Sequence, residues 1–286
     1  MIQARNVWRR IKDRLAFVAV YLLTALALVP LALVLWYTVS RGLPAVSHAE
    51  FFFNVERPVG IPGAGVAHAI AGTGVMVGLA SLLAIPIGVI GGIYLVEYGA
   101  GRWASWVRLA ADVLVGAPSI AIGLFGYVVL VAPYHHFSGF AGAAALSVLM
   151  LPVVVRTTDA AVGLIPASLR ESGLALGLPR WRVALQLVLP AAAPGVITGA
   201  LLAVARAAGE TAPLLFTGFG NRFLNLDPTQ PMSALPLIVF HDALTPYKAL
   251  QDQAWGAALL LVAIVLVVNL ASRFVLRRQI RLAGQL

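Results

Sequence analysis

The chain has 286 residues, 60% of them hydrophobic and only 11% charged, with a mean hydropathy of +0.92; a soluble domain carries roughly 25% charged residues, so the bilayer must be the solvent for most of this surface. The formal charge is +9, with 20 Lys+Arg against 11 Asp+Glu, and the basic residues sit at the ends of apolar runs, as membrane anchors do, rather than on a nucleic-acid-binding face. With no cysteine in the chain, disulfides, Cys-ligated zinc, iron–sulfur clusters and thiol catalysis are excluded.

Six apolar runs reach the roughly 20 residues that a crossing needs. They are Leu15–Val39, Ala67–Val96, Val107–Ala132, Gly139–Val162, Ala191–Phe216 and Ala254–Leu276. The expected fold is therefore all-α and membrane-embedded, with about six transmembrane helices. The first run has a basic front (Arg5, Arg9, Arg10, Lys12, Arg14), and Ser47-His48-Ala49 loosely mimics a cleavage site. Its apolar core is far longer than the 7–15 residues of a signal peptide, so it reads as a retained span. The second run is over-long, which implies tilt or a partly interfacial end. Gly74/Gly78, Gly88/Gly92 and Gly195/Gly199 have the four-residue spacing of close helix contacts. No internal repeat or low-complexity segment stands out. The division expected is a basic N-terminal segment at 1–14, a first span and outer loop at 15–66, a core at 67–276 and a basic tail at 277–286.

Orientation follows from the basic residues. With the N-terminus in the cytoplasm, cytoplasmic pieces hold fifteen Lys and Arg and outer pieces four, with Arg206 left inside a span. That asymmetry places both termini inside. His135-His136 are adjacent rather than spaced along one helical face, so they read as interfacial and not as metal ligands.

Arg156 ends the fourth run, followed by Thr157, Thr158 and Asp159. It serves equally well as a positive-inside anchor or as a contact for an anion. Between the fourth and fifth runs the stretch 166–190 is amphipathic. Ser168 and Glu171 have the spacing of a capping box that opens a short helix. Gly177 can take the left-handed conformation that ends it, and Pro179 suits the first turn of a second helix. There, Trp181, Ala184, Leu185 and Val188 follow the pattern of one apolar face, with Arg180 and Arg182 off it.

This stretch resembles the cytoplasmic motif of ABC-importer permeases: Glu-Ala-Ala, three residues, Gly, nine residues, Ile-x-Leu-Pro. Here the chain reads Glu171-Ser172-Gly173, then Gly177, then Leu187-Val188-Leu189-Pro190, with that spacing throughout. Ser172, Gly173 and Leu187 depart from the pattern but keep its size class. The resemblance implies that Glu171, Gly177, Arg180, Trp181, Leu189 and Pro190 belong to a coupling element that docks on a separate ATPase. The alternative is an interfacial amphipathic helix lying on lipid. A phosphate-binding loop needs Gly-x-x-x-x-Gly-Lys-Ser/Thr, and the only lysines, Lys12 and Lys248, lie outside any such sequence. The chain is thus expected to be no enzyme and to hold no cofactor, with ATP and Mg bound by a partner.

Arg206 and Glu210 lie four apart in the fifth run and so share a helix face. A charge at mid-membrane costs about 2.5–3.5 kcal/mol on insertion scales and normally faces a wet cavity or the bundle interior. A structural ion pair is the other reading. Guanidinium binds oxyanions through a planar fork of donors. The carboxylate beside it could accept the hydroxyl of a protonated oxyanion such as phosphate, which sulfate lacks. Pro213 leaves a carbonyl unpaired nearby, which suits a bend.

The segments Leu151-Pro-Val-Val-Val-Arg156-Thr-Thr, Ser168-Leu-Arg-Glu171 and Arg206-Ala-Ala-Gly-Glu210-Thr211-Ala-Pro-Leu-Leu-Phe resemble the PstA-type permeases of phosphate-specific ABC importers, from about Gly72 to the C-terminus. The resemblance implies a type I ABC importer permease fold. It also implies an inorganic phosphate path lined by Arg206, Glu210, Arg156 and Thr211. Its implied partners are a homologous PstC-type permease, a PstB-type ATPase dimer and a PstS-type periplasmic phosphate-binding protein, besides membrane lipid, with no nucleic acid. Rival readings are a permease for sulfate, molybdate or phosphonate, or a stand-alone transporter or channel gated by the Arg206–Glu210 pair. The outer loop Thr217–Gln253 contains Asn221-Arg222-Phe223, Asp227-Pro228 and the apolar stretch Met232–Phe240. It is long enough to expect a purpose, either docking the binding protein or forming a re-entrant segment.

Overall fold

The computed structural model describes residues 2–99 and 101–283, with side chains over 12–99 and 101–274. The basic side chains Arg5, Arg9, Arg10, Arg277, Arg278 and Arg281 therefore lie outside the described residues. The helices are α1 Ile2–Val46, α2 Ala49–Phe53, α3 Ala67–Glu97, α4 Arg102–Gly116, α5 Ser119–Tyr134, α6 Gly139–Gly163, α7 Ala167–Ala175, α8 Arg180–Ala208, α9 Ala212–Thr217, α10 Leu235–Ala243 and α11 Lys248–Ala283. Among the described residues the only β-pairing is an isolated bridge between Phe219 and Met232.

Among the described residues five helices are long and apolar enough to cross a membrane, and α4 with α5 makes a sixth crossing if that bent pair is one span. The third run was expected to be continuous, and here the structure corrects the sequence: α4 and α5 meet at 102°. Pro118 disfavours a helical residue before it, and Ala117 accordingly takes an extended ψ of 138°.

The core is built where glycine removes the side chain between helices. A Cβ on Gly88 would meet Val154, one on Gly92 would meet Thr158, and one on Gly142 would meet Met76. All three pairs share an offset of 66 residues, so α3 and α6 run parallel. Gly195 faces Ala161 and Gly199 faces Thr157, so α8 runs antiparallel to α6. In lipid no hydrophobic gain drives helices together, and this close backbone approach supplies dispersion contacts instead. Met76, Ala80, Leu146, Met150, Val154, Ala203 and Ala207 fill the seam. Gly74 and Gly78, expected to pack likewise, meet nothing and line an open apolar groove beside α8 and α11.

The long loop before α11 is not a free loop. Its apolar stretch leads into α10, and Met232, Ala234, Leu235 and Leu237 are fully buried. Thr73 on α3 accepts the Leu235 N–H at 2.9 Å, and the Gly139 and Phe140 N–H groups donate to Gln230 and Pro228. By contrast α1 lies at the edge, held by Tyr37 edge-on to Trp255 and by Gly42 under Leu259. Its outward face is apolar and exposed, as a helix in lipid requires.

Candidate functional site

Two features of this bundle carry chemistry, one at the end where α3 and α6 finish and one at mid-depth. At the first, α7 and the start of α8 form the helical hairpin. The capping box does not form. Pro166 occupies the cap position, Ser168 falls at the second helical position, and Ser172 Oγ donates back to the Ser168 carbonyl at 2.7 Å. Glu171 is exposed. The stop signal holds. Gly177 sits at φ +80°, the Leu178 N–H reaches the Gly173 carbonyl and the Gly177 N–H reaches the Leu174 carbonyl. This is the paired closure that only a left-handed residue permits cheaply. Pro179 caps α8.

The expected apolar face is half right. Ala184 and Val188 are buried, but Trp181 and Leu185 are exposed, and Val183 is buried in their place. The cause is a π-helical segment at Val183–Val188, which widens the turn and rotates the buried stripe. Gly173 shows why its position must be small: a Cβ there would lie 2.6 Å from Leu187 and 2.9 Å from Val183. Leu189 is half-buried against this cluster and Pro190 is exposed.

Sequence reasoning missed the brace beneath the hairpin. Arg170 donates Nε to Glu97 at 2.8 Å, and its terminal nitrogens bond the carbonyls of Ile165 and Val162. A lone acid closing the apolar run of α3 was the available signal. Glu97, Arg170 and Arg180 line a cleft of about 370 Å³. Around it Leu164 is 84% and Leu176 81% exposed, and the Arg182 guanidinium lies 5.2 Å over the Trp181 ring. Exposed leucine and tryptophan thus stand among arginines on the hairpin and the turn before it, and such apolar exposure marks a contact surface for protein or membrane.

At mid-depth, Arg206 Nε lies 3.3 Å from Glu210 Oε1. The two do not share a continuous helix, as the sequence suggested. α8 ends at Ala208, Gly209 caps it, and α9 resumes at Ala212. Pro213 has no N–H to return to the Gly209 carbonyl, so the helix breaks there and the pair spans the break. Thr211, half-buried, opens α9 beside them. The register fixes the depth. The pairs 161/195 and 157/199 put Arg206 level with Met150, halfway along α6. Its side chain is 43% exposed and that of Glu210 only 17%. Within this chain the guanidinium is thus not packed into a helix–helix contact.

Arg156 is differently placed. It lies level with Ala200, six residues from the Arg206 level, or about 9 Å along the axis. It pairs with Asp112 at 2.8 Å and with Asp159 at 3.3 Å, and Arg108 meets the same Asp159 at 3.2 Å. Two arginines and two aspartates so balance between α4 and α6. Sequence reasoning offered an anchor or an anion contact for Arg156, and it did not foresee these two acids.

Comparison with known proteins adds the family. Residues 84–282 match the model of the family described as binding-protein-dependent transport system inner membrane component. The chain is 42% identical over 276 residues to the phosphate transport system permease protein PstA of Yersinia pestis, covering 96% of this chain and 93% of that one. It is 40% identical over 282 residues to the phosphate transport system permease protein PstA 1 of Mycobacterium tuberculosis, covering 96% and 91%. Among solved structures, a chain from inward-facing conformations of the MetNI methionine ABC transporter aligns with a TM-score of 0.57 at 19% identity, over 75% of this chain and 94% of that chain. That likeness concerns the fold.

Proposed function

The chain belongs to the binding-protein-dependent transport system inner membrane component family, and from that premise we propose that it is the membrane permease of an ATP-driven inorganic phosphate importer, forming half of the translocation path. The observation that carries this reading is Arg206, a guanidinium at mid-depth with an accessible side chain and a single carboxylate partner. Its fork of donors matches the oxygens of an oxyanion. Glu210 offsets the arginine's charge when the site is empty and accepts the hydroxyl of a protonated phosphate. Thr211 stands beside them as a further path residue. Arg156, lower on α6, would meet the anion only by exchanging an aspartate for it.

Both termini lie in the cytoplasm in this reading, which puts the α7–α8 hairpin on the same side. A PstB-type ATPase dimer grips that hairpin through Glu171, Gly177, Arg180, Trp181, Leu189 and Pro190. A PstC-type permease completes the path, and a PstS-type binding protein delivers phosphate from outside. ATP and Mg are held by the ATPases, and this chain makes and breaks no bonds. ATP-driven closure below shifts the hairpins and with them the population of inward- and outward-open states.

The test is labelled-phosphate uptake by vesicles holding this chain with its co-purified partners, with sulfate as competitor. ATP-dependent phosphate uptake that sulfate leaves unaffected, with discrimination lowered by Glu210→Gln, is the expected result. Uptake without an ATPase, or a phosphate-to-sulfate ratio that Glu210→Gln leaves unchanged, would overturn the mechanism.

A further inference from the structure

At the end of the bundle where α3 and α6 begin, a pocket of about 320 Å³ opens between α10 and the loops after α2 and α9. Two carboxylates line it. Glu56 is paired with Arg222 at 3.1 Å, and Arg222 itself lies mostly in solvent. Asp242, on α10, is 4% exposed and its Oδ2 has no hydrogen-bond partner. Buried acceptors are normally satisfied, and Asp242 lines this pocket, so its unpartnered oxygen is the group that a donor entering here would satisfy. With both acids ionised and Arg222 counted, the lining carries one unmatched negative charge. Phe219, Ile238 and Leu250 form apolar walls.

We propose that this pocket is the socket for one cationic side chain, a lysine or an arginine, of the periplasmic binding protein. The proposal rests on the importer reading above and deepens it. Charge selects a single positive group. Size leaves room for a whole side chain, since a water-sized occupant takes only about 30 Å³. Among the described residues no group of three or more His, Asp or Glu could hold a metal ion. A long basic side chain fits both halves of the site, its methylenes on the apolar walls and its head on Asp242 and Glu56. Burial, then the charge of Glu56, raises Asp242 to about 7, against the pull of Arg222. His241 faces the same pocket from α10, and α11 contributes only Leu250. An incoming cation favours the ionised aspartate, so docking weakens as pH falls through about 7.

The experiment measures binding of the phosphate-loaded periplasmic protein to the full transporter in lipid nanodiscs, with n-butylguanidinium and n-butylammonium as soluble mimics. Asp242→Asn should raise Kd at least about tenfold, the loss typical of removing one member of a desolvated charge pair. The variant should also lose the competition by the mimics and flatten the pH dependence. Glu56→Gln, on a separate segment, should do the same more weakly and serves if the first variant misfolds. A transporter that takes up phosphate normally yet binds its partner equally well with either variant, or ignores both mimics, overturns the socket alone. A wild-type transporter that neither takes up phosphate nor binds the partner overturns the importer reading, and the socket falls with it.

Discussion

Arg170 on α7 donates to Glu97, the last residue of α3, across 73 residues of sequence. The same guanidinium closes the turn after α6 through the Val162 and Ile165 carbonyls. One side chain therefore fixes the hairpin to two spans at once, so that any push on α7 is delivered to α3 and α6 together.

Arg170→Ala should leave Glu97, largely buried, without its partner. Breaking a buried pair from one side costs about 3–5 kcal/mol, and partial exposure here reduces that to about 2–3. Thermal unfolding of the purified complex should show the loss. Arg170→Lys keeps the charge but not the fork, so it should fall between wild type and alanine. ATP hydrolysis by partners that still bind should then run with less transport per ATP.

The glycines of α3 should divide sharply. A Cβ at Gly92 would sit 2.5 Å from the Thr158 Cβ and 2.9 Å from the Val155 carbonyl, whereas Gly78 meets nothing. Gly92→Ala must therefore part α3 from α6. Its yield of assembled protein in detergent should drop, with a penalty of about 1–3 kcal/mol. Gly78→Ala should stay within about 0.5 kcal/mol of wild type or gain slightly, since alanine is the better helix former. Equal behaviour of the two variants in a thermal-shift series would refute the packing register.

How far the sequence could be read depends on what each residue answers to. Spans follow from apolar length, and Gly177 from a backbone need that only its own residue satisfies, so both were legible. The break at Ala117-Pro118 was written in the sequence but hidden by the apolar run around it. The rotated face of α8 was not legible, because a π-helical turn is a response to packing rather than to periodicity. The spacing of Arg206 and Glu210 suggested one helix face; their pairing survives, but across a break that Gly209 and Pro213 impose. Arg156 could not be assigned partners without knowing that α4 brings Asp112 alongside. Asp242 carried no pattern at all, since its burial depends on α10 folding into the core.

Asp242 also predicts a pH dependence. Its pKa in the fold is raised to about 7 from 3.8. The folded state then holds a proton that the unfolded chain has released across that window. Stability contributed by this group is therefore full below about pH 4 and declines as pH rises toward about 7. Unfolding of the purified complex measured between pH 5 and pH 8 should show lower stability at the upper end, and Asp242→Asn should remove that part of the slope.

The central claim is that Arg206 faces the anion path. Arg206→Gln shortens the side chain and removes the charge while keeping a hydrogen-bonding amide, and Arg206→Lys retains the charge without the fork. In vesicles carrying the assembled transporter at matched levels, Arg206→Gln should abolish ATP-driven uptake of labelled phosphate, and Arg206→Lys should retain only a small part of it. Uptake by Arg206→Gln at the wild-type rate would contradict the account.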